Sequence, residues 1–261
     1  MSLETRDQAY MDCTEVEAAI EYAEIAAEYE VPVTLFLTGK CVYEERNRVR
    51  ELAEMPNVEL GGHNYWAFTT PVHQLWRAVE KATGGRLGSW NGPRAFQDWE
   101  IGKTVAAFQK IEARITSWRD HAYRHDKHTV SLLAKHDFTH FSDPVEPAGH
   151  VRKNGDVTVV PVNTPPDHEH LYHAFRTPEF VTDAEFDGPF GGDSYYPDEW
   201  ASWVLDHTDA RLKATDITTL LLHPACMYLV DKFDLLRTIL ERVMNENPVT
   251  ISEVEVNESK I

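Results

Sequence analysis

Glu59-Leu-Gly-Gly-His-Asn-Tyr-Trp66 is the stretch on which the fold of this chain turns. Val58 and Leu60 bracket Glu59 in a short apolar run that reads as a buried strand. The run ends in Gly61 and Gly62, and His63 follows at once. Glycines there let the backbone turn sharply and come close to whatever His63 faces. In parallel α/β folds, ligands and metals bind at the carboxyl ends of the strands. His63 is therefore a candidate metal ligand or acid–base group, set against the plainer alternative of a hydrogen-bonded strand-end histidine.

The sequence on either side keeps one rhythm. Thr14 is an N-cap for a helix over 14–29, whose stripe of Val16, Ala19, Ile20 and Ala23 has helical spacing. Val31-Pro-Val-Thr-Leu-Phe-Leu37 reads as a strand buried on both faces, ended by Thr38-Gly39. A helix over 46–54 leads into the strand before His63, and this alternation predicts a parallel βα fold. Residues 68–97 break it with Trp76, Trp90, Gly84-Gly85 and Asn91-Gly-Pro93, and are expected to form an inserted lobe or lid. Helical spacing returns over 99–115, a strand over 116–118 reaches Arg119, and a helix (128–136) and strand (138–142) follow. Asn154-Gly155 predicts a type I′ hairpin turn. Residues 163–195, rich in Pro, Gly, Asp and His, read as a long loop. Within it Asp167-His-Glu-His-Leu-Tyr-His173 has metal-like spacing but is expected to be solvated, and Phe175-Arg-Thr-Pro-Glu179 is set aside. A helix over 199–212, a strand over 218–222 ending at His223-Pro224, a helix over 229–245 and a strand over 249–256 complete the chain. No repeat or linker composition divides it, so residues 1–261 are expected to form one domain.

Composition narrows the function. The 261 residues carry 43 Asp+Glu against 25 Lys+Arg, a formal charge of −18 that repels phosphate backbones and argues against nucleic-acid binding. The acids are dispersed and arginine outnumbers lysine, as on a halophilic surface kept soluble in high salt; an ordinary acidic protein is the alternative. No run approaches a membrane span, and the first residues do not read as a signal peptide, so a cytoplasmic protein is expected. Cys13, Cys41 and Cys226 lack C-x-x-C spacing and read as free thiols in a reducing compartment.

Several of these segments together resemble the polysaccharide deacetylase (NodB-homology) family. Val33-Thr-Leu-Phe-Leu-Thr-Gly39 is similar to that family's ATFFVTG strand, and Glu59-Leu-Gly-Gly-His63 to its metal-histidine motif. Trp118-Arg119 with the run Asp126 to Asp143 (DKHTVSLLAKHDFTHFSD) resembles its arginine motif and the unit beyond. Leu221-Leu-His-Pro224 resembles its late Leu-His motif. The resemblance implies an irregular (β/α) barrel, a divalent metal (zinc foremost) and removal of acetyl groups from amino sugars.

Carried over residue by residue, the resemblance makes Asp7 a metal ligand and catalytic residue, His63 a second ligand, His223 the general acid and Arg119 the residue that orients the base. Three departures follow. Arg6 stands where the base should be, and an arginine cannot take up that proton; Glu4, on the same strand face, is the substitute or pairs with Arg6. Ala67 stands where the second metal histidine should follow His63, which leaves too few ligands for a tight site. His121, with His125 beside it, occupies the Arg-Pro-Pro-Tyr-Gly loop position and is the local replacement ligand. Tyr65, Trp66 and Arg6 are candidate substrate contacts, and Trp66, Trp76, Trp90 and Trp99 offer aromatic faces for sugar rings or simply pack the lobe.

The expected partner is a carbohydrate or other small amide substrate, with homo-oligomerisation left open. Three readings stand: a metal-dependent N-deacetylase, a silent barrel that binds carbohydrate, and a metal-independent amidohydrolase of the kind that acts on small cyclic ureides.

Overall fold

A capping box starts the first helix: Thr14 Oγ1 accepts from Glu17 N at 3.2 Å, and Glu17 Oε2 accepts from Thr14 N at 2.7 Å. The computed structural model describes residues 7–184, 188–214 and 217–256. Helix α1 (Glu15–Glu28) buries Val16, Ala19, Ala23 and Ala26 in the hydrophobic core, and β1 (Val33–Leu37) follows it. Helices α2 (Gly39–Glu44) and α3 (Arg46–Glu54) lead to β2 (Val58–Gly62). Next come α4 (Pro71–Thr83), α5 (Arg94–Gln109), β3 (Ser117–Trp118), α6 (Thr129–Lys135), β4 (His140–Phe141), β5 (Arg152–Asn154) and β6 (Val157–Val159). Helices α7 (Asp167–His170), α8 (Pro178–Ala184), α9 (Pro197–Ala214), α10 (Pro224–Asp231) and α11 (Asp234–Val243) complete the order.

The sheet runs β1-β2-β3-β4-β6-β5, parallel throughout except for the β5–β6 hairpin. Its core is continuous, from Val16 on α1 through Trp118 and Trp200 to Leu240 on α11. Burying each of those large side chains contributes roughly 1.5–3 kcal/mol. Gly61 and Gly62 are the last two residues of β2. A Cβ at Gly61 would lie 2.6 Å from a Phe36 ring carbon, and one at Gly62 2.6 Å from Trp118 Cζ3. Only a hydrogen fits there, so the glycines serve close strand packing beneath His63.

Two expected strands are absent among the described residues, for a shared reason. Over 217–219, side chains satisfy the backbone that a ladder would satisfy. Asn163 Oδ1 accepts from Thr219 N (2.8 Å), Asn163 Nδ2 donates to Ile217 O (3.2 Å) and Thr164 Oγ1 donates to Thr219 O (2.7 Å). Over 249–256, Ile251 N donates to Thr34 Oγ1 (2.9 Å) and Ser252 N to Glu59 Oε2 (3.1 Å), and Ile251–Glu253 forms a 3-10 turn. Both segments line one cavity of about 290 Å³ with β1, His63, Arg119 and His223. The hairpin turn is displaced by one residue from Asn154-Gly155. Asn154 pairs with Val157, the loop is Gly155-Asp156, and Gly155 carries the positive φ of 59°. Between 229 and 245 the expected single helix is two, α10 and α11, broken at Lys232 and Phe233 by φ of 57° and 72°. Among the described residues no helix is long and apolar enough to cross a membrane.

Candidate active site

The segment expected to be a solvated loop is instead the support of the site. His170 is fully buried, with Nδ1 2.8 Å from Asp193 O and its ring edge-on to Trp203 at 5.3 Å. Tyr195 N donates to His170 O (2.8 Å) and Tyr172 N to Tyr195 O (2.9 Å). Buried Arg176 ties the Glu169 carbonyl to Ser194 Oγ, the latter at 2.8 Å. These contacts fix α7 and hold Asp167, His168 and His173 in place.

Asp7 is 3% exposed although it is a carboxylate. Its Oδ1 lies 3.3 Å from His173 Nε2 without hydrogen-bond geometry, and its Oδ2 lies 3.9 Å from His168 Nδ1. Burial raises its carboxyl pKa, but His173, His168 and His223 outweigh burial and bring it below the ordinary value. His173 Nδ1 is 2.8 Å from Leu171 O. A carbonyl only accepts, so Nδ1 carries a proton and Nε2 is the nitrogen turned toward Asp7. Burial lowers the His173 pKa, but the Asp7 carboxylate outweighs burial and raises it above the ordinary value. Cys226 Sγ lies 3.5 Å from that Nε2 and 3.9 Å from His168 Nδ1. Ligand atoms of Asp7, His168, His173 and Cys226 all fall within 4.8 Å of one another.

Beside this group His223 and Asp167 form a dyad. His223 Nδ1 is 2.6 Å from Asp167 Oδ1, and His223 N donates to Asp167 Oδ2 at 2.5 Å. Asp167 is fully buried, while the His223 side chain is 43% exposed, so the dyad presents its imidazole to the cleft. The His168 and His223 rings are 5.2 Å apart. Burial pushes the neighbouring Glu169 carboxyl up to about 7.

The other expected residues lie as follows. His63 Nδ1 is 2.8 Å from Arg119 O, which makes Nδ1 the protonated nitrogen, and Nε2 accepts from His121 Nδ1 at 3.1 Å. Both nitrogens of His63 are engaged, and burial holds His63 well below the usual imidazole range and His121 down to about 3. His63 and His121 thus meet each other, whereas Asp7 meets the donors of the 167–173 segment and α10. No helical turn brings Ala67 beneath His63, because Asn64, Ala67 and Phe68 have φ of 53°, 36° and 61°. Arg119 gives Nε and Nη2 to Ser142 and lies 4.6 Å over the Phe36 ring. Among the described residues no carboxylate pairs with it. His125 pairs with Asp143 at 2.5 Å, in a separate cavity from His63 and His223. Tyr65 is buried and Trp66 half-buried, with Trp66 5.2 Å from exposed Trp99 and Lys103 Nζ 3.9 Å over the Trp66 ring. Glu4 and Arg6 lie outside the described residues.

No protein-family model matches the sequence, and no curated protein matches it. Similarity appears in the backbone. A protein described as a polysaccharide deacetylase from Mycobacterium smegmatis superposes with a TM-score of 0.63 at 16% identity, over 94% of this chain and 76% of that one. A family 4 carbohydrate esterase pseudoenzyme from Bacillus anthracis superposes with a TM-score of 0.51 at 10% identity, over 96% of this chain and 60% of that one. The chain has the polysaccharide deacetylase fold. Its architecture is the irregular (β/α) barrel of that type, and these identities speak to the fold alone.

The resemblance read in the sequence implies a divalent metal. The residues around Asp7 fit one. A buried carboxylate oxygen lacks a hydrogen-bond donor, one imidazole turns Nε2 toward it with its ring oriented by a carbonyl behind, and a second imidazole and a thiol close the group. The order of chemistry along the chain differs from the family pattern, since the imidazoles come from His168 and His173.

Proposed function

We propose that the chain hydrolyses a non-peptide carbon–nitrogen bond, removing an acetyl group from an amino sugar or a related amide, with a divalent metal held by Asp7, His168 and His173. The observation that carries this reading is the placement of the Asp7 donor group beside the Asp167–His223 dyad. The bound cation supplies Lewis acidity toward the amide carbonyl and toward water.

The chain supplies the proton transfers. Asp167 accepts from His223 Nδ1, which fixes the tautomer and leaves Nε2 facing the cleft. Arginine at position 6 leaves His223 to serve both transfers: its neutral Nε2 takes the proton from attacking water, and the resulting imidazolium returns it to the leaving nitrogen. Asp167 stabilises that imidazolium. Trp66 and Trp99 offer ring faces for a pyranose, and half-buried Arg119 anchors the wall of the cavity that His63 and His223 share.

The test is acetate release from N-acetylated chitooligosaccharides and from lipids and nucleotides bearing N-acetylglucosamine, with zinc, cobalt or manganese supplied. Metal-dependent release supports the reading, and no turnover with any of the three metals removes it. A second reading, a carbohydrate-binding barrel without turnover, is favoured by Arg6 and Ala67 at positions where the family has catalytic groups. Sugar binding by calorimetry without acetate release selects it. Turnover that survives chelation selects the metal-independent amidohydrolase.

A further inference from the structure

We propose that Cys226 is a fourth ligand to the metal, so that the centre is a one-oxygen, two-nitrogen, one-sulfur site selective for zinc-like ions. The inference takes from the proposed function only the location of the cation, and holds whether or not a substrate is turned over.

Geometry carries it. Zinc binds nitrogen or oxygen at about 2.0–2.1 Å and thiolate at about 2.3 Å, which in a tetrahedron sets nitrogen–oxygen edges of about 3.3 Å and nitrogen–sulfur edges of about 3.6 Å. Here His173 Nε2 is 3.3 Å from Asp7 Oδ1 and 3.5 Å from Cys226 Sγ. His168 Nδ1 stands 3.9 Å from both Asp7 Oδ2 and Cys226 Sγ. The two edges that meet at His173 Nε2 are therefore at the lengths a bound ion imposes, while His168, on the Oδ2 side of Asp7, stands farther out and closes on the ion by a small rotation of its exposed ring. The donors come from four separate places: residue 7, both ends of the 168–173 segment, and the first turn of α10. Chance crowding within one loop does not explain that convergence.

Sγ also lies within 4.8 Å of the Asp167 and His223 ligand atoms, which raises a nucleophile in a cysteine–histidine–aspartate set as the competing role. Two facts weigh against it. Cys226 is fully buried, and its sulfur lies against the His173 and His168 rings at 3.5 and 3.9 Å. A nucleophilic thiol must meet substrate, whereas a ligand thiol need only meet the ion. A sulfur donor selects zinc or cobalt over magnesium or manganese, which prefer all-oxygen surroundings.

The experiment is X-ray absorption on the zinc-loaded full chain, joined to cobalt(II) substitution. The expected zinc shell contains one sulfur at about 2.3 Å beside lighter donors. The cobalt form is expected to show a sulfur-to-cobalt charge-transfer band that is lost in Cys226→Ser and kept in Cys13→Ser and Cys41→Ser. A shell of nitrogen and oxygen alone, or a chain that retains no zinc, overturns the inference. The zinc measurement needs no variant, so it decides even if Cys226→Ser fails to fold. A sulfur shell without acetate release removes the hydrolase reading alone; acetate release from a sulfur-free centre removes Cys226 alone.

Discussion

Asp167 and His223, 56 positions apart, face each other across 2.6 Å, and both carboxylate oxygens of Asp167 are occupied by the segment that begins at His223. The aspartate also accepts from His168 N at 2.7 Å, so one buried carboxylate orients the proposed proton carrier and the start of the proposed metal-binding segment together. Asp167→Asn keeps the shape but offers an amide that can donate to Nδ1 and reverse the tautomer. Turnover is expected to fall by about 10²–10⁴-fold with KM little changed, the range typical of lost acid–base catalysis. Steady-state acetate release at several pH values checks this.

Gly62→Ala places a methyl 2.6 Å from Trp118 Cζ3, where Trp118 is fully buried and cannot yield. Overpacking of this kind costs about 1–3 kcal/mol. Urea unfolding is expected to show a lower midpoint at unchanged slope, and an unchanged midpoint would contradict the packing role assigned to the glycine.

The His125–Asp143 pair gives a pH dependence of definite sign. The Asp143 hydrogen bond raises the His125 imidazole above its ordinary 6.5, and burial raises the Asp143 carboxyl above its ordinary 3.8. Both folded-state values exceed the unfolded ones, so the folded state holds protons more tightly. The His125 contribution is complete below 6.5, the unfolded imidazole value, and is lost as pH rises through the folded one. Ring-proton NMR is expected to place the His125 titration above that of free imidazole, and His125→Asn to flatten the stability profile there.

The charge of −18 sets a salt dependence. Screening of dispersed carboxylates relieves self-repulsion, so molar potassium chloride is expected to raise the unfolding midpoint. Equal midpoints in low and molar salt would remove the halophilic reading.

What the sequence disclosed followed from local pattern. β1 and β2 were legible because apolar runs end in glycine or Thr-Gly, and α1 because its cap and stripe agree. His63 was legible as a strand-end histidine, but its partner His121 depends on a loop whose backbone turns left-handed at Ala122, with φ of 51°. The donors His168 and His173 carried a spacing signal in Asp167-His-Glu-His-Leu-Tyr-His173. What hid their role was that the support comes from Asp193, Ser194, Tyr195 and Trp203, which no local pattern connects to them. The missing strand over 218–222 has the same origin, since Asn163 and Thr164 reach its backbone from afar. Cys226 gave no signal at all as a lone cysteine.

One contact bears on how firmly the residues after β2 are held. Glu100, buried on α5, receives the amides of Tyr65 and Trp66 on one oxygen at 3.0 Å each, and its other oxygen lies 3.4 Å from His73 on α4. Swinging α4 and α5 outward would strip two amide hydrogens of their acceptor, at about 1–3 kcal/mol for each one left buried. The turn after β2, α4 and α5 are thus pinned to one another through a single carboxylate, like a parapet riveted at its base.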